Sequence, residues 1–102
     1  IEGGTIMAQG YALTEEVVLN DGVAVTPSFH TYLVPTALDI SPMSITTIES
    51  FEATGPFGAK GVGEPTTLPG AASIVNAISA AVGKEFYELP LTAEKIATGN
   101  EN

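Results

Sequence analysis

The run most able to do chemistry is Gly55-Pro56-Phe57-Gly58-Ala59-Lys60-Gly61-Val62-Gly63-Glu64-Pro65, in which four glycines and two prolines close on one carboxylate. Glycine admits backbone conformations and close approaches that a Cβ forbids, and proline fixes φ. The run therefore reads as a shaped loop and not as the interior of a helix or strand. Thr66, Thr67 and Pro69 then read as a helix start. That sets Glu64 just upstream of a helix N-terminus, whose free N–H groups can bind an anion or an oriented oxygen. No Walker pattern is present, because Lys60 is followed by Gly61, and the glycine spacing is not that of a dinucleotide fingerprint. On residue chemistry alone two readings stand: a cradle that brings backbone against a bound group, and a tight turn carrying a solvated glutamate.

Other ionisable residues offer less. His30 is the sole histidine, which invites an acid or base reading, but between Phe29 and Tyr32 it is expected to be a buried, hydrogen-bonded structural residue. Glu15 and Glu16 resemble a metal or acid/base pair. On a helix, adjacent positions point about 100° apart and share a ligand poorly, so both read as surface charges. Lys60 is read as a solvated lysine as readily as a phosphate contact. With no cysteine, the chain has no disulfide and no thiolate metal site.

The elements that must position the loop follow from periodicity. Residues 1–18 are expected to form a helix, since Ile6, Leu13 and Val17 recur near a 3.6-residue period. Its glycines, each about 1 kcal/mol worse than alanine, suggest a face that another backbone or a cofactor approaches closely. Residues 17–19 and 23–25 read as a β-hairpin turning at Asp21-Gly22. Residues 28–40 read as an irregular connection. Met43 to Ser50 alternates with β-branched residues, which predicts a half-buried strand leading into the loop. A helix over 68–82, apolar nearly all round and hence of buried type, is capped by Gly83. Residues 86–90 read as extended, Thr92 caps a last short helix through Ile96, and a frayed tail is expected over about 98–102. The sum is an α+β unit with a β-hairpin, a further strand and two main helices.

The 102 residues carry twelve acidic side chains against three basic ones, a formal charge of −9. Nucleic acid and anionic membranes are repelled by such a surface. No apolar run is long enough to span a bilayer, and no secretory signal is visible.

The loop from Gly55 to Pro65 resembles the motif near the C-terminal end of the molybdenum-binding large subunit of the xanthine dehydrogenase and aldehyde oxidoreductase family, the molybdenum hydroxylases. Further stretches resemble the family in the same order: Ile1-Glu2-Gly3-Gly4, Gln9-Gly10, Leu13-Thr14-Glu15-Glu16, Phe29-His30-Thr31-Tyr32, Val34-Pro35-Thr36-Ala37-Leu38-Asp39 and Glu88-Leu89-Pro90-Leu91-Thr92. The likeness spans about residues 1 to 97.

The resemblance implies that residues 1–102 are the C-terminal portion of a molybdopterin-binding domain, and the start at Ile1, already inside a family motif, is expected of such a piece. It implies a molybdenum–pyranopterin cofactor, as molybdopterin or its dinucleotide form, with iron–sulfur clusters and, where present, FAD on other domains or subunits. Glu64 is implied to be the catalytic base that takes the proton of a molybdenum-bound hydroxyl, while water-derived oxygen enters a purine, an aldehyde or an N-heterocycle. Burial beside the loop would raise a carboxyl pKa in the direction a base needs. Gly61, Val62 and Gly63 are implied to pass close to the cofactor, Gln9 to be a neighbour of the site, and no residue here to ligate the metal.

Expected partners are the remainder of the large subunit, the iron–sulfur and FAD domains or subunits and a small-molecule substrate, in a cytoplasmic enzyme compatible with a homo-oligomer. Neither nucleic acid nor membrane is an expected partner. The isolated piece is expected to bind no molybdenum and to be inactive. The competing reading is a non-catalytic scaffold or interaction domain that keeps the fold.

Overall fold

The computed structural model describes residues 1–99. Helix α1 (Glu2–Leu13) is followed by a two-stranded antiparallel hairpin, β1 (Leu19–Asn20) and β2 (Val23–Ala24), in which Leu19 faces Ala24 and Asn20 faces Val23. Helix α2 (Gly70–Val82) and the short helix α3 (Ala93–Thr98) complete the regular elements, with single 3-10 turns at Ala37–Asp39, Pro56–Gly58 and Glu64–Thr67. The α+β class, the hairpin and the two main helices agree with the sequence.

A stripe of small residues makes α1 the hub. Gly4, Ala8 and Ala12 recur every four positions and so share one face. A Cβ on Gly4 would run into Thr66 Oγ1 and lie 3.3 Å from the Gly63 carbonyl oxygen. At the next turn Ala8, fully buried, meets Gly70 at the start of α2 so closely that a Cβ on Gly70 would strike the Ala8 methyl. At Ala12, also fully buried, the carbonyl accepts the Leu91 N–H at 2.7 Å. Phe86 and Leu91 complete the small core, each contributing about 1.5–3 kcal/mol by burial.

The first helix ends at Leu13, five residues short of the expected Val18. Thr14 leaves the helical region with φ −136°, and its hydroxyl donates to the Leu33 carbonyl at 2.7 Å. A β-branched residue with an outside acceptor gains more there than in another helical turn. The hairpin turn is as expected, with Asp21 at φ 48° and Gly22 at φ 80°, the positive pair such a turn demands.

The further strand expected over residues 43–50 is not formed among the described residues, because no other strand lies beside it to complete a ladder. In α2 the expected burial is partial. Gly70, Ala71, Ile74, Val75, Ile78 and Ser79 form a half-buried stripe, while Ala72, Asn76, Ala77, Ala80 and Ala81 are exposed. Gly83 caps α2 in the left-handed region, φ 70°. Thr92 caps α3 by accepting the Lys95 N–H, and that helix runs two residues beyond Ile96. Thr98 and Gly99, placed in the expected frayed tail, belong to the end and cap of α3, with the Gly99 N–H donating to Lys95 at 3.0 Å. Residues 100–102 of that tail lie outside the described residues.

The accessible surface is 7851 Å², against about 5,400 Å² for a compact monomer of this mass. The radius of gyration is 16.9 Å, against about 13 Å for a compact domain of this length. Much apolar surface is uncovered, including Leu38, Ile48, Phe51, Phe57 and Tyr87.

The α1–α2 approach sets an expected outcome. Gly70→Val should cost about 1–3 kcal/mol through overpacking against Ala8, read as a lower thermal midpoint of the full-length protein. Gly3→Ala, where an added Cβ meets nothing within 4 Å, should be neutral or stabilising by up to about 1 kcal/mol. Equal effects at both positions would contradict the close contact.

Candidate functional site

The loop that carries Glu64 is built in two parts. Its first part is a closed turn. The Glu52 N–H donates to the Gly58 carbonyl at 3.2 Å, Gly55 N–H to Glu52 at 3.1 Å and Gly58 N–H to Gly55 at 3.1 Å. A Cβ on Gly55 would collide with the Ala59 carbonyl oxygen, and one on Gly58, at φ 77°, with the Phe51 ring. Both glycines are thus required by the turn itself. Phe57, at φ 55°, is fully exposed at its tip. Thr54 donates from its N–H (3.0 Å) and its hydroxyl (2.8 Å) to the same Glu52 oxygen. The Thr54 N–H and then its hydroxyl, by bonding the ionised form, hold the Glu52 carboxyl below its ordinary value. Lys60 Nζ donates to Ser50 Oγ at 3.0 Å, which gives that lysine a structural task.

The second part, Gly61 to Glu64, behaves differently. A Cβ on Gly61 or Gly63 would meet nothing within 4 Å, and Gly61, Val62, Gly63 and Glu64 are all exposed. No contact among the described residues calls for these glycines, although each adds backbone freedom that folding must remove. Glu64 opens the 3-10 turn Glu64–Thr67, with Pro65 in its first positions. The Thr66 hydroxyl donates to the Gly63 carbonyl at 2.7 Å, and that same pair of groups lies against Gly4 of α1. Helix α1 therefore fixes the backbone that bears Glu64. The burial expected around Glu64 is not supplied by the described residues.

Several other expectations are corrected. Glu15 is not a free surface charge: it follows the end of α1, is half-buried, and accepts the Tyr32 hydroxyl at 2.7 Å. That bond, with partial burial and the repulsion of the Glu15 charge behind it, raises the Tyr32 phenol above its ordinary value. Gly10 leaves room for this carboxylate, since a Cβ there would strike it. Glu16 is exposed, as expected. His30, expected to be buried, is exposed on a turn.

Gln9, five residues beyond Gly4, lies about 140° round the helix from it. Its Nε2 donates to the Asp39 carbonyl at 3.1 Å, where α1 and residues 33–39 enclose a cleft of about 390 Å³ that Glu64 does not line. Asp39 in turn accepts both the Thr36 N–H and the Thr36 hydroxyl at 2.7 Å, and these bonds hold its carboxyl below the ordinary range. The capping pair Thr36 and Asp39 stands three residues apart in the sequence and could have been found there.

Among the described residues no group of three or more His, Cys, Asp or Glu is placed to hold a metal ion, and no buried side-chain polar atom lacks a partner. A metal-bearing group at this loop would therefore have to be held by its own ligands and by other residues. The loop suits such a neighbour. Its two open glycines permit close approach, and its one carboxylate is exposed.

Comparison with known proteins gives the class. Residues 1–41 match the family model described as a molybdopterin cofactor-binding domain. The chain is 36% identical over 96 residues to a probable xanthine dehydrogenase component of Bacillus subtilis, covering 94% of this chain and 13% of that protein. It is 35% identical over 98 residues to a putative xanthine dehydrogenase molybdenum-binding subunit of Escherichia coli, with the same coverage. The crystal structure of quinoline 2-oxidoreductase from Pseudomonas putida 86 superposes with a TM-score of 0.88 at 34% identity, over 96% of this chain and 13% of that one. The chain thus matches the molybdopterin-binding domain of the xanthine dehydrogenase and aldehyde oxidoreductase family, the molybdenum hydroxylases. It spans about an eighth of the length of these relatives, 13% in each.

The turn at the base of the loop has a defined pH response. With its folded-state pKa lowered, the Glu52–Thr54 contact contributes fully above the ordinary carboxylate value of 4.5 and is lost as pH falls through the lower folded value. The Thr54 amide should therefore be unchanged between pH 7 and pH 5.5 and should shift only well below pH 4.5. Selective labelling of threonine amides checks this, and a transition near neutral pH would contradict it.

Proposed function

We propose that residues 1–102 are the C-terminal portion of a molybdopterin-binding domain in a molybdenum hydroxylase, and that Glu64 is its catalytic base. The observation that supports this most is the exposed run Gly61-Val62-Gly63-Glu64, whose glycines answer to nothing among the described residues. It lies in a chain that matches the family over nearly its full length. In this reading Gly61, Val62 and Gly63 form the wall that lies against the molybdenum–pyranopterin group, and the absence of side chains at the two glycines permits that approach. The group, when bound, supplies a Lewis-acidic centre that acidifies its coordinated water and accepts two electrons.

Glu64 would contribute a carboxylate oxygen that accepts the O–H proton released as the new carbon–oxygen bond forms on an electron-poor carbon of a purine, an aldehyde or an N-heterocycle, while that carbon's C–H bond breaks and its electron pair passes to the bound group. The Thr66–Gly63 hydrogen bond and the contact with Gly4 hold the backbone that bears Glu64, which supports a carboxylate placed from a fixed point of the chain. Iron–sulfur and FAD domains or subunits would carry the electrons away. The setting is a cytoplasmic enzyme, and among the described residues no helix is long and apolar enough to cross a membrane.

The test uses the full-length enzyme. Glu64→Gln keeps the shape of the side chain and removes its basicity. It should lower kcat by about 10²–10⁴-fold while molybdenum content, read by metal analysis, stays unchanged. Near wild-type turnover would remove Glu64 from the mechanism and favour a scaffold role for this region.

A further inference from the structure

Glu64 stands between a loose stretch and a stiff one. On its N-terminal side Gly61 and Gly63 have open space where a side chain would be, so nothing among the described residues restrains their backbone sterically. On its C-terminal side Pro65 fixes its own φ and biases the residue before it towards extended backbone. Glu64 nevertheless opens a 3-10 turn, and Gly63 before it lies in the right-handed helical region, at φ −66° and ψ −77°. A glycine followed by a residue ahead of proline is a poor pair from which to start a helical turn, so a further bond has to favour it.

The Thr66 hydroxyl supplies that bond. It donates at 2.7 Å to the Gly63 carbonyl oxygen, which belongs to the peptide unit joining Gly63 to Glu64. Thr66 is half-buried, and its hydroxyl lies over Gly4 of α1, where a Cβ would strike it. The same Cβ would come within 3.3 Å of the Gly63 oxygen. Donor, acceptor and the helix surface beneath them thus form one contact, and the peptide that it grips is the one that carries Glu64. Glycine weakens a helix relative to alanine, and at Gly4 that weakness coincides with the seat of the Thr66 hydroxyl.

We propose that Thr66 is the positioning residue of Glu64: its hydroxyl, seated on Gly4, holds the Gly63–Glu64 peptide in the turn and so aims the carboxylate. The aim matters for catalysis only on the reading of Glu64 as the base, whereas the grip on its backbone does not rest on that reading.

Thr66→Val keeps the branched shape and removes the donor, and Thr66→Ser keeps the donor. Hydrogen exchange on the full-length protein, resolved to single residues, reads the grip without turnover. The Glu64 amide, whose N–H belongs to the gripped peptide, should exchange about 2–10-fold faster in Thr66→Val, the range set by loss of one hydrogen bond, and at the wild-type rate in Thr66→Ser. Gly4→Ala, which displaces the hydroxyl from the other side, should give a similar increase. Single-turnover kinetics, with hypoxanthine, benzaldehyde and quinoline as probes of the three substrate classes, read the aim. For the probe that reacts, Thr66→Val should slow the chemical step about 2–10-fold with the half-saturating concentration unchanged, and Thr66→Ser should restore the wild-type rate. In a Glu64→Gln background Thr66→Val should have no further effect. A Glu64 amide that exchanges equally in wild type and Thr66→Val, or a serine variant that behaves as the valine one does, overturns the proposal. Full turnover by Glu64→Gln overturns the reading of Glu64 as the base instead, and the exchange comparison then decides alone whether Thr66 holds its backbone.

Discussion

The described structure depends on how closely other backbone can approach one face of α1. Gly4, Ala8 and Ala12 carry almost no side chain, and each receives a different later segment: the Gly63–Thr66 turn, the start of α2 at Gly70, and Leu91. A helix face of this kind packs by backbone proximity and not by interlocking large side chains. Its contacts are short-ranged and intolerant of added volume. The position of Glu64 is thereby coupled to the first turn of a helix sixty residues earlier in the chain.

This mode of packing explains how the site can be ordered while the core is small. Among the described residues the buried apolar side chains are few, Ala8, Ala12, Phe86, Pro90 and Leu91, which is little for a chain of this length to fold around. The apolar groups that remain, the outer face of α2, the tip at Phe57 and the run from Ile45 to Phe51, face outward. A surface so apolar on a chain of net charge −9 has the character of an interior waiting for its neighbours. Gly61 to Glu64 are exposed as well.

What the sequence made legible was local. Asp21-Gly22 specified its turn through two positive φ angles, Gly83 stopped α2, and Thr92 capped α3, because each effect is complete within a few residues. The glycines of α1 announced a close approach, which Gly4 and Gly10 make while Gly3 has open space. What stayed hidden depends on partners distant in sequence. The end of α1 at Leu13 requires the Leu33 carbonyl for Thr14, and the role of Glu15 requires Tyr32. The pattern of residues 43–50 identifies a strand by its residues, yet a strand exists only when another backbone completes its hydrogen bonds. Within the loop, the sequence could not separate Gly55 and Gly58, demanded by their own turn, from Gly61 and Gly63, which nothing among the described residues demands. That division is what supports the proposal of an external neighbour at the second pair.

The most direct measurement of the central claim is the molybdenum position in crystals of the cofactor-loaded full-length protein, located by anomalous scattering at the metal's absorption edge. The metal is expected beside the Gly61–Gly63 wall, with the Glu64 carboxylate able to reach an atom of the bound group over about 2.6–3.2 Å, directly or through one water. A molybdenum position on the far side of α1, out of reach of Glu64, would contradict it.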